Sequence, residues 1–375
     1  MKHELERVEI PGEDSARERA WSVVEAAFVE RMPTPSRSHW PRVAAIALAA
    51  SALLGAALSS PGQAVLDEIR EVVGVERAQP ALFSLPAPGK LLVASDAGVW
   101  TVQQDGSRRL LGEYREASWS PFGRFVVAAR RNELTALEPD GDVRWTLPRR
   151  GVRSPRWTGT ETDTRIAYVD RTGIRVVAGD GTDDRLLEPG APGPLAWRTG
   201  ADFMLAYADR RGRIVLVDAA SGKTVWRTEP EGPVSELQWS SDGRRLLARR
   251  VRSRDDVAIY TGKGELFTGI RTPRGHVTAA AFRPDGHGSA ASIGEGGQAR
   301  LSVTGLPGSL LSGPGAFEDL EWSPDGHWLL VSWPLADQWV FVRAGGARRV
   351  RAVSNISDQF HSRSFPQIEG WCCAR

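Results

Sequence analysis

Cysteine is nearly absent from this 375-residue chain: the two present, Cys372 and Cys373, are adjacent. That count excludes a disulfide framework and a cysteine zinc site. Histidine is also sparse, at six residues, with no H-x-H or H-E-x-x-H pair. There is no Walker loop and no G-x-S-x-G elbow, Gly286-His-Gly-Ser-Ala290 failing to match it. The D-x-D-x-D-G calcium series is missing as well, so Asp180-Gly-Thr-Asp-Asp184 reads as a hairpin tip. These gaps leave no catalytic, cofactor or metal residues to assign. His287 and His327 each follow the Asp-Gly of a turn and are expected in solvent at equivalent positions. Lysine supplies only four of the 48 basic residues, and the net charge is +2. Arginine clusters such as Arg149-Arg150, Arg210-Arg211-Gly-Arg213 and Arg249-Arg250-Val-Arg252 read as solvated edges. An anionic cell-envelope ligand stays open, whereas nucleic-acid binding, which needs a concentrated basic face, is not expected.

Long apolar runs are equally scarce, with one exception. Residues 43–60, VAAIALAASALLGAALSS, hold no charge over 18 positions. At about 1.5 Å per residue such a helix just spans a bilayer core. A cleaved signal peptide would need an n-region of more than forty residues, so a signal anchor is preferred. Arg31, Arg37 and Arg42 lie on its N-terminal side, while Asp67, Glu68 and Glu71 follow it. The positive-inside rule then places the N-terminus in the cytoplasm and everything after residue 60 outside. Short helices are expected on both flanks. In the tail, Ser15 and Glu18 form a capping box ahead of a stripe of Ala20, Trp21, Val24, Ala27 and Phe28. Residues 15–31 are read either as a docking helix for a cytoplasmic partner or as a helix lying on the membrane surface. Beyond the span, Ser60-Pro61-Gly62-Gln63 starts a helix striped by Val65, Leu66, Ile69, Val72 and Val73.

What the chain has in excess is tryptophan: 14, against 11 Phe and 4 Tyr. From residue 86 onward short alternating runs are separated by Gly, Asp and Pro. Within them one phrase recurs: Ala117-Ser-Trp-Ser-Pro-Phe-Gly, Leu237-Gln-Trp-Ser-Ser-Asp-Gly, Ala281-Phe-Arg-Pro-Asp-Gly and Leu320-Glu-Trp-Ser-Pro-Asp-Gly. Looser copies surround Trp157 and Trp197. The anchors Trp119, Trp157, Trp197, Trp239, Phe282 and Trp322 stand 38, 40, 42, 43 and 40 residues apart. A period near 40 is the length of one four-stranded propeller blade. Residues 90–112 supply three strands before the first anchor, and Ile368-Glu-Gly-Trp371 repeats the anchor pattern with nothing after it. Pairing that last strand with the first three closes seven blades and removes the open sheet edges; six blades is the alternative.

The W-S-P-D-G strings resemble TolB-type propeller repeats, relatives of the WD-repeat family, although no Trp-Asp dipeptide closes a blade. The hairpins Asp140-Gly-Asp-Val-Arg-Trp145 and Ala220-Ser-Gly-Lys-Thr-Val-Trp226 resemble the repeats of quinoproteins. The layout is similar to membrane-anchored bacterial propellers of anti-sigma-factor type, without their zinc-binding His/Cys pattern. The expected organisation is a cytoplasmic tail (1–42), a transmembrane helix (43–60), a juxtamembrane helix and linker (61–85) and an all-β, seven-bladed propeller (86–375). The expected function is non-catalytic binding or sensing of an extracytoplasmic ligand or protein, from a single-pass anchor in the cytoplasmic membrane. The alternatives are a quinoprotein-like enzyme and a non-signalling envelope scaffold. Quinoproteins can bond neighbouring cysteines, but on a strand adjacent side chains face opposite ways. One buried and one exposed thiol is therefore expected for Cys372 and Cys373.

Overall fold

The computed structural model describes residues 84–373 except 191–192, 201, 252–254, 273, 287 and 346–348. The tail, the apolar run 43–60 and the segments expected to form helices on its flanks lie outside the described residues. No helix among those described is long and apolar enough to cross a membrane.

Seven four-stranded antiparallel sheets follow one another. The first blade joins β1 (Lys90–Ser95), β2 (Gly98–Val102) and β3 (Arg108–Gly112) to the last strand of the chain. The second is β4 (Glu116–Trp119), β5 (Val126–Arg130), β6 (Glu133–Leu137) and β7 (Val143–Pro148). The third is β8 (Arg153–Gly159), β9 (Thr164–Val169), β10 (Gly173–Ala178) and β11 (Arg185–Pro189). The fourth runs through β12 (Leu195–Trp197), β13 (Met204–Ala208), β14 (Ile214–Asp218) and β15 (Thr224–Arg227). The fifth comprises β16 (Val234–Trp239), β17 (Arg245–Arg250), β18 (Asp255–Thr261) and β19 (Leu266–Arg271). The sixth has β20 (His276–Phe282), β21 (Ser289–Glu295), β22 (Gln298–Val303) and β23 (Leu311–Pro314). The seventh has β24 (Leu320–Trp322), β25 (Trp328–Trp333), β26 (Gln338–Arg343) and β27 (Val350–Ser354), before α1 (Ile356–Gln359) and the closing β28 (Gln367–Cys372).

Seven blades, closed by the last strand on the first three, is the outcome expected from the repeat. The 49-residue step from Trp322 to Trp371 conceals no extra blade. Its surplus goes into a 3-10 turn at Pro334–Ala336 and into α1 with the loop that follows. Phe360, just past α1, is fully buried against Trp100 and Trp339. Asp96, in the β1–β2 turn, then holds that loop by accepting from the backbone N–H groups of Arg363 (2.8 Å) and Ser364 (3.1 Å).

Burial peaks in the middle strands and falls off at the outermost. The middle strands are covered on both faces by neighbouring blades and so are rich in Val, Leu, Ile and Ala. β25 is buried at all six positions, whereas the outermost β7 has no buried residue. The anchors are the wedges between blades: Trp197 packs with Ala167 and Val176 of the preceding blade, and its Nε1 donates to Arg156 O at 2.9 Å. Gly98 is confined by sterics. Its φ is +133°, and a Cβ there would lie 2.1 Å from Gly112 O. Gly98→Ala is expected to cost about 2 kcal/mol or more in chemical denaturation, because left-handed strain and the backbone clash add.

Candidate functional site

Each blade's innermost strand is an edge, so its hub-side N–H groups need partners from outside its own sheet. Side chains of the neighbouring blade supply them. Ser118 Oγ accepts from Trp157 N (3.4 Å), Gln238 Oε1 from Phe282 N (2.8 Å) and Glu321 Oε1 from Trp371 N (3.3 Å). In each case the residue before one anchor receives the N–H of the next. Glu116 accepts from Ser154 N, Asp319 from Ile368 N and Glu369 from Ala117 N. Burial raises these acids: Asp319 to about 6, with Glu236 and Glu318 adding repulsion, and Glu321 to about 7, with Glu236 and Asp319 adding to it. Glu369 also rises to about 7 by burial, against the attraction of Arg156. These carboxylates clamp the ring. Among the described residues no group of His, Cys, Asp or Glu is arranged to hold a metal ion.

The second feature lies where two blades meet. In the turns after Trp239 and Trp322, serine and aspartate lock the chain. Ser240 Oγ donates to Asp242 Oδ1 (2.6 Å), which also accepts from Arg244 N (3.0 Å). Ser323 Oγ donates likewise to Asp325 Oδ1 (2.5 Å), which accepts from His327 N (3.0 Å). The Ser240 hydroxyl holds the Asp242 carboxyl below its ordinary range. Burial would raise Asp325, but the Ser323 hydroxyl and the His327 N–H outweigh it. After Trp119 the aspartate is replaced by Phe122, and the two carboxylate bonds are lost. Phe125 N still donates to Ser120 Oγ (2.9 Å), and the backbone bonds from Ser120 N to Phe125 O and from Gly123 N to Ser120 O (both 2.9 Å) remain. The Phe122 ring gains no core in exchange, being 47% exposed.

Phe122 stands at a cleft of about 450 Å³ between the second and third blades, in the size range of ligand pockets. Phe125, Trp145, Trp157, Arg144 and the turn Thr160–Thr164 line it. Phe125 stacks on Trp157 with centroids 6.2 Å apart and planes 17° from parallel. Trp145 Nε1 donates to Gly179 O at 2.9 Å, whereas Trp157 Nε1 is buried and has no acceptor. At two other junctions a guanidinium from the preceding blade covers the anchor ring: Arg198 over Trp239 (5.5 Å) and Arg283 over Trp322 (5.7 Å). The equivalent residue before the cleft is Ser120, too short to reach.

Cys372 and Cys373 are joined to each other, so the expectation of two free thiols on opposite faces is corrected. Strand alternation stops at Cys372, where β28 ends, and leaves Cys373 free to turn back. The arginine clusters also need correction, because they are not all solvated edges. Arg250 is buried, donating to Gly212 O (3.1 Å), Gly232 O (3.0 Å) and the Tyr260 hydroxyl (2.9 Å). Arg149 and Arg175 both bond Asp184, which also accepts from the Tyr168 hydroxyl at 2.7 Å. That network ties the second blade to the third, and Asp180 bonds Thr182 at the hairpin tip. His327 is exposed beside Asp325, His361 lies near Trp100, and His276 begins β20. His287 is outside the described residues. The cleft was missed from sequence, although its signal is visible as the Phe in Ser120-Pro-Phe-Gly.

No family model matches the chain, and no curated protein matches it in sequence. In structure it is similar to the C-terminal WD40 domain of Sif2, with a TM-score of 0.51 at 16% identity over 71% of this chain and 82% of that one. It is also similar to the β-propeller domain of Cps50 (Swd1) from Myceliophteria thermophila, with a TM-score of 0.53 at 15% identity over 69% of this chain and 96% of that one. The fold is a WD40-like, seven-bladed β-propeller. At these identities the likeness concerns the fold alone.

Proposed function

We propose that the chain is a membrane-anchored, non-catalytic binding module that seizes a protein partner through the cleft beside Phe122. The observation that carries this reading is the exposed Phe122 ring, placed where equivalent turns keep a structural aspartate. An aromatic at a cleft mouth, unpaired and costing the turn its two carboxylate bonds, is the kind of local exception that binding explains. WD40-like rings typically serve as protein-binding scaffolds, which agrees with it. The uncharged run 43–60 and its arginine flank support a single-pass anchor with the N-terminus inside and the propeller outside. Residues 15–31 would then carry the signal to a cytoplasmic partner.

The binding face is tested by comparing Phe122→Asp with the parent chain as paired baits from solubilised membranes. Topology is tested with reporters fused at residue 2 and after residue 373. The expected result is a cytoplasmic signal from the first and an external one from the second; the reverse pattern contradicts the anchor. Deleting residues 1–32 should abolish the cellular output of partner binding, and an unchanged output would leave a scaffold.

A further inference from the structure

The bonded cysteines and the Phe122 turn are neighbours. A Cβ on Gly123, in the middle of that turn, would lie 3.1 Å from Cys373 Sγ and 3.2 Å from Cys372 Sγ. Cys373 Sγ also sits 3.8 Å from the carbonyl oxygen of Pro121. Both sulfurs abut the turn, but Cys372 also packs against the core made by Ala117, Trp119 and Val126, so its sulfur is the one held in place. Gly123 has φ +64°, and with Phe122 in place of aspartate the turn lacks the carboxylate lock of its two counterparts. Its shape rests on the remaining Ser120 bonds and on what stands behind it. We propose that Cys372–Cys373 is a thiol–disulfide exchange site for small or protein dithiols, and that its redox state sets the shape of the Phe122 cleft. The regulatory half of this proposal rests on the binding role given to that cleft.

The chemistry balances with the dithiol alone. Its thiolate attacks one Sγ, forming a mixed disulfide and releasing the other sulfur as a thiolate that takes up a proton. The second thiol of the reductant then gives up its proton and displaces the remaining sulfur. Two cysteine thiols and one disulfide on the reductant result, with two electrons and two protons moved. Bonded sulfurs lie about 2 Å apart, whereas two thiols need van der Waals separation, roughly 1.5 Å more. With Cys372 held by the core, Cys373 must move, and the Pro121–Phe125 turn lies in its way.

Hydrogen exchange of the full-length chain, oxidised and after dithiothreitol, tests this. Reduction should speed amide exchange across residues 122–126 at least tenfold and leave residues 242–246 unchanged. Cys373→Ser should behave as reduced and ignore dithiothreitol. Equal exchange in both states would overturn the proposal, as would a pair that dithiothreitol leaves bonded by mass, or a response that survives Cys373→Ser. Partner retention by Phe122→Asp separates the two readings. If retention persists while the turn still answers to dithiothreitol, the cleft reading fails and the exchange site stands. If retention is lost and the turn ignores dithiothreitol, the exchange site fails alone.

Discussion

Replacing Glu321 and Glu369 together by glutamine should stabilise the propeller at pH 8 and raise its melting temperature by about 5 °C. Both carboxyls are raised to about 7 by burial at the hub. Each therefore binds its proton more tightly in the folded ring than in the unfolded chain. The stability they lend is complete below about pH 4 and is lost as the pH climbs through about 7. At pH 8 both are charged and poorly solvated, with Glu236, Asp319 and Glu116 nearby adding repulsion. A pKa displaced by one unit is worth about 1.4 kcal/mol; the hub retains contact with water, so about 1–2 kcal/mol per group is reasonable. Glutamine keeps the oxygen that accepts from Trp371 N or Ala117 N and removes the charge. The parent protein should gain stability as the pH falls from 8 to 5.5, and the double variant should gain less, keeping the part that comes from Asp319, raised to about 6 by burial. The surface aspartates held low by their turns, such as Asp180 and Asp218, act only below that window. An unchanged or lower melting temperature for the variant at pH 8 would contradict the assignment of strain to these two groups.

The second large effect concerns binding. Burying a phenylalanine ring against a partner is worth about 1.5–3 kcal/mol, or roughly 10- to 100-fold in affinity. Phe122→Asp removes that ring and restores the carboxylate its counterparts use. The introduced carboxylate would accept from the Ser120 hydroxyl and the Arg124 N–H, as Asp242 does from Ser240 and Arg244. The variant should thus be as stable as the parent or about 0.5–1 kcal/mol more so. Weaker binding with intact or improved stability is a signature that a merely structural Phe122 would not produce.

The ring was legible because its signal repeats. Anchors near a 40-residue period, a strand triplet before the first and a lone anchor at the end determine both blade number and closure. The hub was less so: Glu116, Glu321 and Glu369 look like ordinary polar alternations until the edges they satisfy are in view. The cleft needed two features to coincide in the turn between β4 and β5, Phe122 in place of aspartate and a serine at 120 where two other junctions carry an arginine. Each was visible in the sequence, but their meeting over Trp157 was not. Arg250 was hidden among solvated arginines because its partners, Gly212 O and the Tyr260 hydroxyl, lie elsewhere in the chain. Cys373 escaped because the alternation rule applies only within the strand, which ends one residue earlier.

The central claim is that the Phe122 cleft is the partner-binding face, and one paired measurement addresses it most directly. Parent chain, Phe122→Asp and Val225→Asp, the last at an exposed position in the fourth blade, serve as baits from the same solubilised membranes. Their melting temperatures are measured alongside. The account predicts a partner retained by the parent and Val225→Asp and depleted at least tenfold on Phe122→Asp, with no loss of stability. Equal retention by all three baits would contradict it.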